Sequence, residues 1–113
     1  MKQSINGFYT KFNFFACDAD KISGEVVTYN EDAVKGGIVF LSFMEWGRLD
    51  HGPGHTQLYP VLKFRVMVDV YENGSFSYKR SREEEPHFHS VKAHFISHDY
   101  HEAFSEMIMN EEM

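Results

Sequence analysis

Seven histidines are the side chains most able to do chemistry in this sequence of 113 residues. His87 and His89, two apart, would point two imidazoles to one face of a strand, and neutral imidazole nitrogens are zinc ligands. His94, His98 and His101 follow, and on a helix the last two would share a face. Three such nitrogens at about 2.1 Å make a zinc site. No His-Glu-x-x-His pattern accompanies them, and the single cysteine, Cys17, stands among Phe and Ala residues, as a buried, inert thiol would. His51 and His55 are four apart, but Gly52-Pro53-Gly54 lies between them, so they do not share a helical face. Imidazole titrates near neutrality, so His51 with His55, or His89 with His94, could pair as acid and base while Arg48 or Lys92 held a phosphate. None of these spacings is diagnostic of a reaction. Solvated or hydrogen-bonded histidines on a wet face account for them, and the sequence implies no catalytic residue, metal or cofactor.

A second group suits recognition rather than reaction. Trp46, Arg48, Asp50, His51 and Tyr59 gather around Gly47 to Leu58, which the glycines and Pro53 mark as a long loop. Trp, Tyr and Arg dominate binding hot spots. Trp46 as a strand-end core residue, with Tyr59 packed beneath the loop, is the plainer alternative. Glu83 and Glu84, in the Glu83-Glu84-Glu85 run, form a solvated turn that could also meet a basic partner.

The elements that must position these residues read mainly as strands. In Phe8 to Cys17, Thr10, Phe12, Phe14 and Ala16 alternate with Lys11, Asn13 and Phe15. Ile22 to Tyr29 is a second strand, followed by a turn closed by Gly36-Gly37. Ile38 to Trp46 is nearly all apolar, the pattern of a strand buried on both faces. Val61 to Tyr71 alternates strictly, with Leu62, Phe64, Val66, Val68 and Val70 on one side. Asn73-Gly74 then marks a hairpin into Ser75 to Arg80. A three-residue loop, Glu72 to Gly74, would pair Tyr71 with Ser75. It would also set Val70 opposite Phe76 and Val68 opposite Tyr78, with Gly74 left-handed in a bulge. Phe88 to Ile96 is a further strand, with Val91, Ala93 and Phe95 on one side. From Asp99, a capping pair with Glu102 and the stripe Tyr100, Ala103, Phe104, Met107 and Ile108 predict a helix buried on the sheet. The expected fold is α+β, mainly β: a curved antiparallel sheet or partly open β-barrel with one C-terminal helix, one domain over residues 1–113.

Composition narrows the class. Eleven Lys and Arg stand against 17 Asp and Glu, for a net charge of −6. That surface repels phosphate backbones and suits a basic partner, so nucleic acid is disfavoured. One cysteine excludes an intrachain disulfide. No run approaches the roughly 18 apolar residues of a membrane span. With no signal-like start, a cytoplasmic protein without membrane contact is expected.

From Ile38 onward one reads Val39-Phe40-Leu41-Ser42-Phe43-Met44-Glu45-Trp46-Gly47-Arg48, then Pro53, Tyr59-Pro60 and Lys63-Phe64-Arg65. This pattern resembles the C-terminal β-barrel domain of elongation factor Tu and small free-standing proteins like it. Trp46 stands where that family has the first Gly of Gly-Gly-Arg, and the Arg between Tyr59 and Pro60 is missing. The resemblance implies a β-rich fold, with Glu45, Gly47, Arg48 and Tyr59 at a surface contacting RNA or partner proteins. No phosphate-binding G-x-x-x-x-G-K-[ST] loop exists, so nucleotide hydrolysis is not implied.

Three functions follow from these residues. The first is a small acidic protein-binding module without chemistry of its own, an immunity or antitoxin type of inhibitor that blocks the basic cleft of a bacterial nuclease-like toxin. The second is a translation- or RNA-associated β-barrel module. The third is a His- or metal-dependent enzyme.

Overall fold

The computed structural model describes residues 7–17, 20–80 and 88–108. Its strands run in the order β1 (Thr10–Cys17), β2 (Lys21–Thr28), β3 (Gly37–Asp50), β4 (Thr56–Val70), β5 (Ser75–Lys79), β6 (Ser90–Ile96) and β7 (Ala103–Ile108). They form two antiparallel sheets, β1-β2-β5 and β4-β3-β6-β7, and not a closed barrel. Among the described residues no helix is long and apolar enough to cross a membrane.

The core lies between the sheets. Ile22 and Val26 from β2 and Phe76 from β5 meet Val39, Leu41 and Phe43 from β3 and Val91, Ala93 and Phe95 from β6. Alternation puts each set on one side of its strand. On β1, Phe12 and Phe14 pack edge-on to Phe76. Arg80 is buried with its guanidinium 4.1 Å from the centre of the Phe88 ring, so its charge rests on an aromatic face.

Two seams join the sheets. At the first, His101 donates its backbone N–H to Phe8 O at 2.7 Å, Thr10 Oγ1 donates to His101 O at 2.8 Å, and Tyr9 stacks on the His101 ring. At the second, the Tyr71–Ser75 turn closes as expected. Gly74 N donates to Tyr71 O, Tyr71 N donates to Ser75 O, and Gly74 sits at φ 84°. The chain then departs from the expected hairpin. Phe76 pairs with Gly24 and Tyr78 with Ile22, so β5 joins β2, and Val70 and Val68 pair with Gly37 and Val39.

The C-terminal helix is overturned. Tyr100 to His101 is irregular and Ala103–Ile108 is an edge strand paired with β6, His94 opposite Phe104. Ala103 is buried while Phe104 is 70% exposed. The hydrogen-bonding edge of β6 outweighs a helical stripe too short to nucleate by itself. Among the described residues the fold is therefore mainly β, with no helix closing it.

β3 meets a second expectation only in part. Val39, Leu41 and Phe43 on its core side are fully buried; on the opposite side Ser42 and Met44 are buried, whereas Ile38 and Phe40 are half-buried. Among the described residues no layer packs on that outer face of the four-stranded sheet.

Candidate functional site

The expected loop from Gly47 to Leu58 is mostly strand. β3 and β4 stay paired to Asp50↔Thr56, and only His51 to His55 form the turn. His51 N donates to His55 O at 2.7 Å, and His55 N to Gly52 O at 2.9 Å. The other neighbour of β3 stops earlier, because β6 pairs no further than Met44↔Ser90. Beyond that point β3 and β4 continue as a two-stranded arm about 20 Å long. The molecule is accordingly elongated, 62 × 32 × 23 Å.

The arm begins at a bulge. Phe43 pairs with Phe64 but Met44 pairs with Leu62, leaving Lys63 as the extra residue, its Nζ 3.1 Å from Glu45 Oε1. A bulge adds twist and re-aims the strands that follow. It also moves the alternation of β4 by one. Leu62, Pro60 and Leu58 therefore share a face with Met44, Trp46 and Arg48, while Val61 and Tyr59 share the other with Gly47 and Leu49.

Each face has its own organisation. On the first, Trp46 stacks on the His89 imidazole, ring centres 4.4 Å apart and planes 14° apart. Toward the tip, Arg48 reaches Asp50 at 3.9 Å and Thr56 Oγ1 donates to Asp50 Oδ1 at 3.0 Å. On the second, the Tyr59 ring lies over Gly47, where an added Cβ would come within 2.7 Å of it. That close approach explains a glycine inside a strand. His51 Nε2 lies 3.0 Å from Gln57 Oε1 at the tip.

Of the residues expected at the site, the arm gathers Trp46, Arg48, Asp50, His51 and Tyr59, with Tyr59 on the face opposite Trp46. Glu83 and Glu84 lie outside the described residues. Leu49, Leu58 and Leu62 were not singled out, yet with Trp46 and Tyr59 they are between 42% and 54% exposed. Their signal was available in Leu58, Pro60 and Leu62, which alternate as strand residues do.

Among the described residues the histidines do not converge. His89 stacks on Trp46, His94 stacks on Phe104 and sits 3.1 Å from Glu102, and His101 stacks on Tyr9. His98 and His101 share no helical face, because the segment is not helical. His87 lies outside the described residues. Among the described residues no three His, Cys, Asp or Glu side chains come together to hold a metal. The arrangement at the arm can therefore grip a surface by stacking, apolar contact and a few charges. No protein-family model, curated protein or solved structure matches this chain.

Proposed function

We propose that the chain is a non-enzymatic protein-binding module that engages its partner with the β3–β4 arm. One observation carries the reading: Trp46, Leu49, Leu58, Tyr59 and Leu62 are about half exposed on a ribbon with apolar side chains on both faces. A lone two-stranded ribbon is marginal in water, and burial of those faces against a partner would stabilise it. Trp46 and Tyr59 are anchors of the hot-spot kind, and Arg48 and Asp50 would form a polar rim near the tip. The net charge of −6 suits a basic partner. An immunity or antitoxin type of inhibitor, closing the basic cleft of a nuclease-like toxin, is the narrower form of the same reading.

The test is capture of partners by the wild-type chain beside Trp46→Ala and Leu58→Asp. Association with the captured partner should slow as salt rises, since the field steers the encounter. Trp46→Ala should speed dissociation about 30-fold, the effect of a hot-spot anchor worth about 2 kcal/mol. Equal capture by all three chains would sink the arm as the site. Turnover of RNA, lost in His51→Ala or His89→Ala, would move the function to an enzyme.

A further inference from the structure

We propose that the outer face of the four-stranded sheet binds a second copy of this chain, giving a two-fold dimer held face to face. This stands apart from the arm, because it rests on the rows of side chains on the body of the sheet.

The register defines those rows. One runs Met67, Phe40, His94, Phe104 from β4 through β3 and β6 to β7, and the next runs Arg65, Ser42, Lys92, Glu106. Between them lies a shallow groove of about 650 Å³. The apolar row stands out from the sheet at both ends, with Met67 at 67% and Phe104 at 70% exposed. Ile96 and Ile38 extend the apolar surface by another row. With the charged stems, this face offers on the order of 700 Å² per copy, close to the ~800 Å² that each partner contributes to a standard interface. Sheets that pack face to face do so through such alternating side chains, about 10 Å apart.

Charge complementarity selects the second copy as the occupant and fixes its orientation. Consider two-fold axes parallel to the strands. An axis over β3 would set Arg65 of one copy against Lys92 of the other. An axis over β6 would set Lys92 against itself. An axis midway between β3 and β6 exchanges β4 with β7 and β3 with β6. Arg65 then meets Glu106 of the second copy, Met67 meets Phe104, Phe40 meets His94, and Ser42 meets Lys92. Each of these four contacts occurs twice, as a two-fold interface requires. Arg65 is already oriented on this face, since its Nε donates to Ser42 Oγ at 2.9 Å. Asp69 and Glu102 are like charges at the rim, where solvent screens them. Because the axis runs along the strands, both arms leave the dimer at the same end.

Light scattering and sedimentation of the purified chain test the proposal. The wild type should show twice the chain mass of 13.2 kDa. Phe104→Asp, at an exposed position, should become monomeric with an unchanged far-ultraviolet spectrum. Arg65→Glu and Glu106→Arg should each weaken the dimer about 100-fold, and the double variant should recover most of that loss. A wild-type monomer at about 100 μM would overturn the proposal, being far above the dissociation constant of an interface this size. So would a dimer that survives Phe104→Asp, a double variant no better than the singles, or a dimer broken by Trp46→Ala alone. The last result would place self-association on the arm.

Discussion

Replacing Gly74 by Ala tests how the two sheets are joined. Gly74 is buried at φ 84° in the turn from β4 to β5. An added Cβ there would come within 2.9 Å of Val26 O and 3.0 Å of Ala33 Cβ. Neither neighbour can retreat cheaply. Val26 O accepts from Val34 N at 3.1 Å, Val26 N donates to Gly74 O at 2.8 Å, and the Val34 side chain is fully buried. A left-handed backbone costs a non-glycine residue about 1–2 kcal/mol, and overpacking a tight site adds about 1–3 kcal/mol. The stiffer unfolded chain returns about 0.4–1 kcal/mol. The net loss should be about 2–3 kcal/mol, or roughly 10 °C in Tm for a chain of this size. Urea denaturation of Gly74→Ala beside Gly54→Ala isolates the steric part. Gly54 has a similar φ of 77° but nothing within 4 Å of its added Cβ. Its loss should be about 1 kcal/mol or less, from conformation alone. Equal losses at the two positions would refute the claim that the seam is packed against β2.

Phe104→Ala should cost less than about 1 kcal/mol in a dilute monomer, whereas Phe95→Ala, at a fully buried position, should cost about 3–5 kcal/mol. Chemical denaturation of the two variants reverses the expectation of a buried helix if the order holds. Trp46 is the only tryptophan, so the emission of the free protein should report a half-exposed indole and shift to the blue when the arm is covered. Trp46→Ala should leave the unfolding free energy from urea titration within about 0.5 kcal/mol of wild type, because the arm carries no core, and a larger drop would show that the arm supports the body.

The turn at Asn73-Gly74 was legible in the sequence down to the Tyr71–Ser75 closure, because its geometry is set within a few residues. Where β5 went next was not, since the choice between β4 and β2 depends on residues about 50 positions away in sequence. Tyr100, Ala103, Phe104 and Met107 fit a helical stripe. The same residues fit a strand with Ala103 and Met107 inward and Phe104 outward, and pairing with β6 decided between them. Trp46, Arg48, Asp50, His51 and Tyr59 were identified by residue type alone. Their placement on a ribbon was hidden because Gly52-Pro53-Gly54 reads as a loop over the whole segment, whereas the strands stay paired to Asp50 and Thr56 and only His51 to His55 turn.

The unpaired Lys63 has an evolutionary consequence. It decouples the arm's alternation on β4 from the body's, so the body's core pattern does not dictate which arm residues face which way. A regular ladder, with Lys63 paired to Met44, would instead put Leu58 and Leu62 with Leu49, and Tyr59 with Trp46, without changing the identity of any residue. Adding residues in twos to each strand of the arm would lengthen its reach while preserving both faces. A lineage can therefore retune what the arm grips through insertions and deletions at one end of the molecule, with Phe43, Phe64 and the packing behind them left untouched.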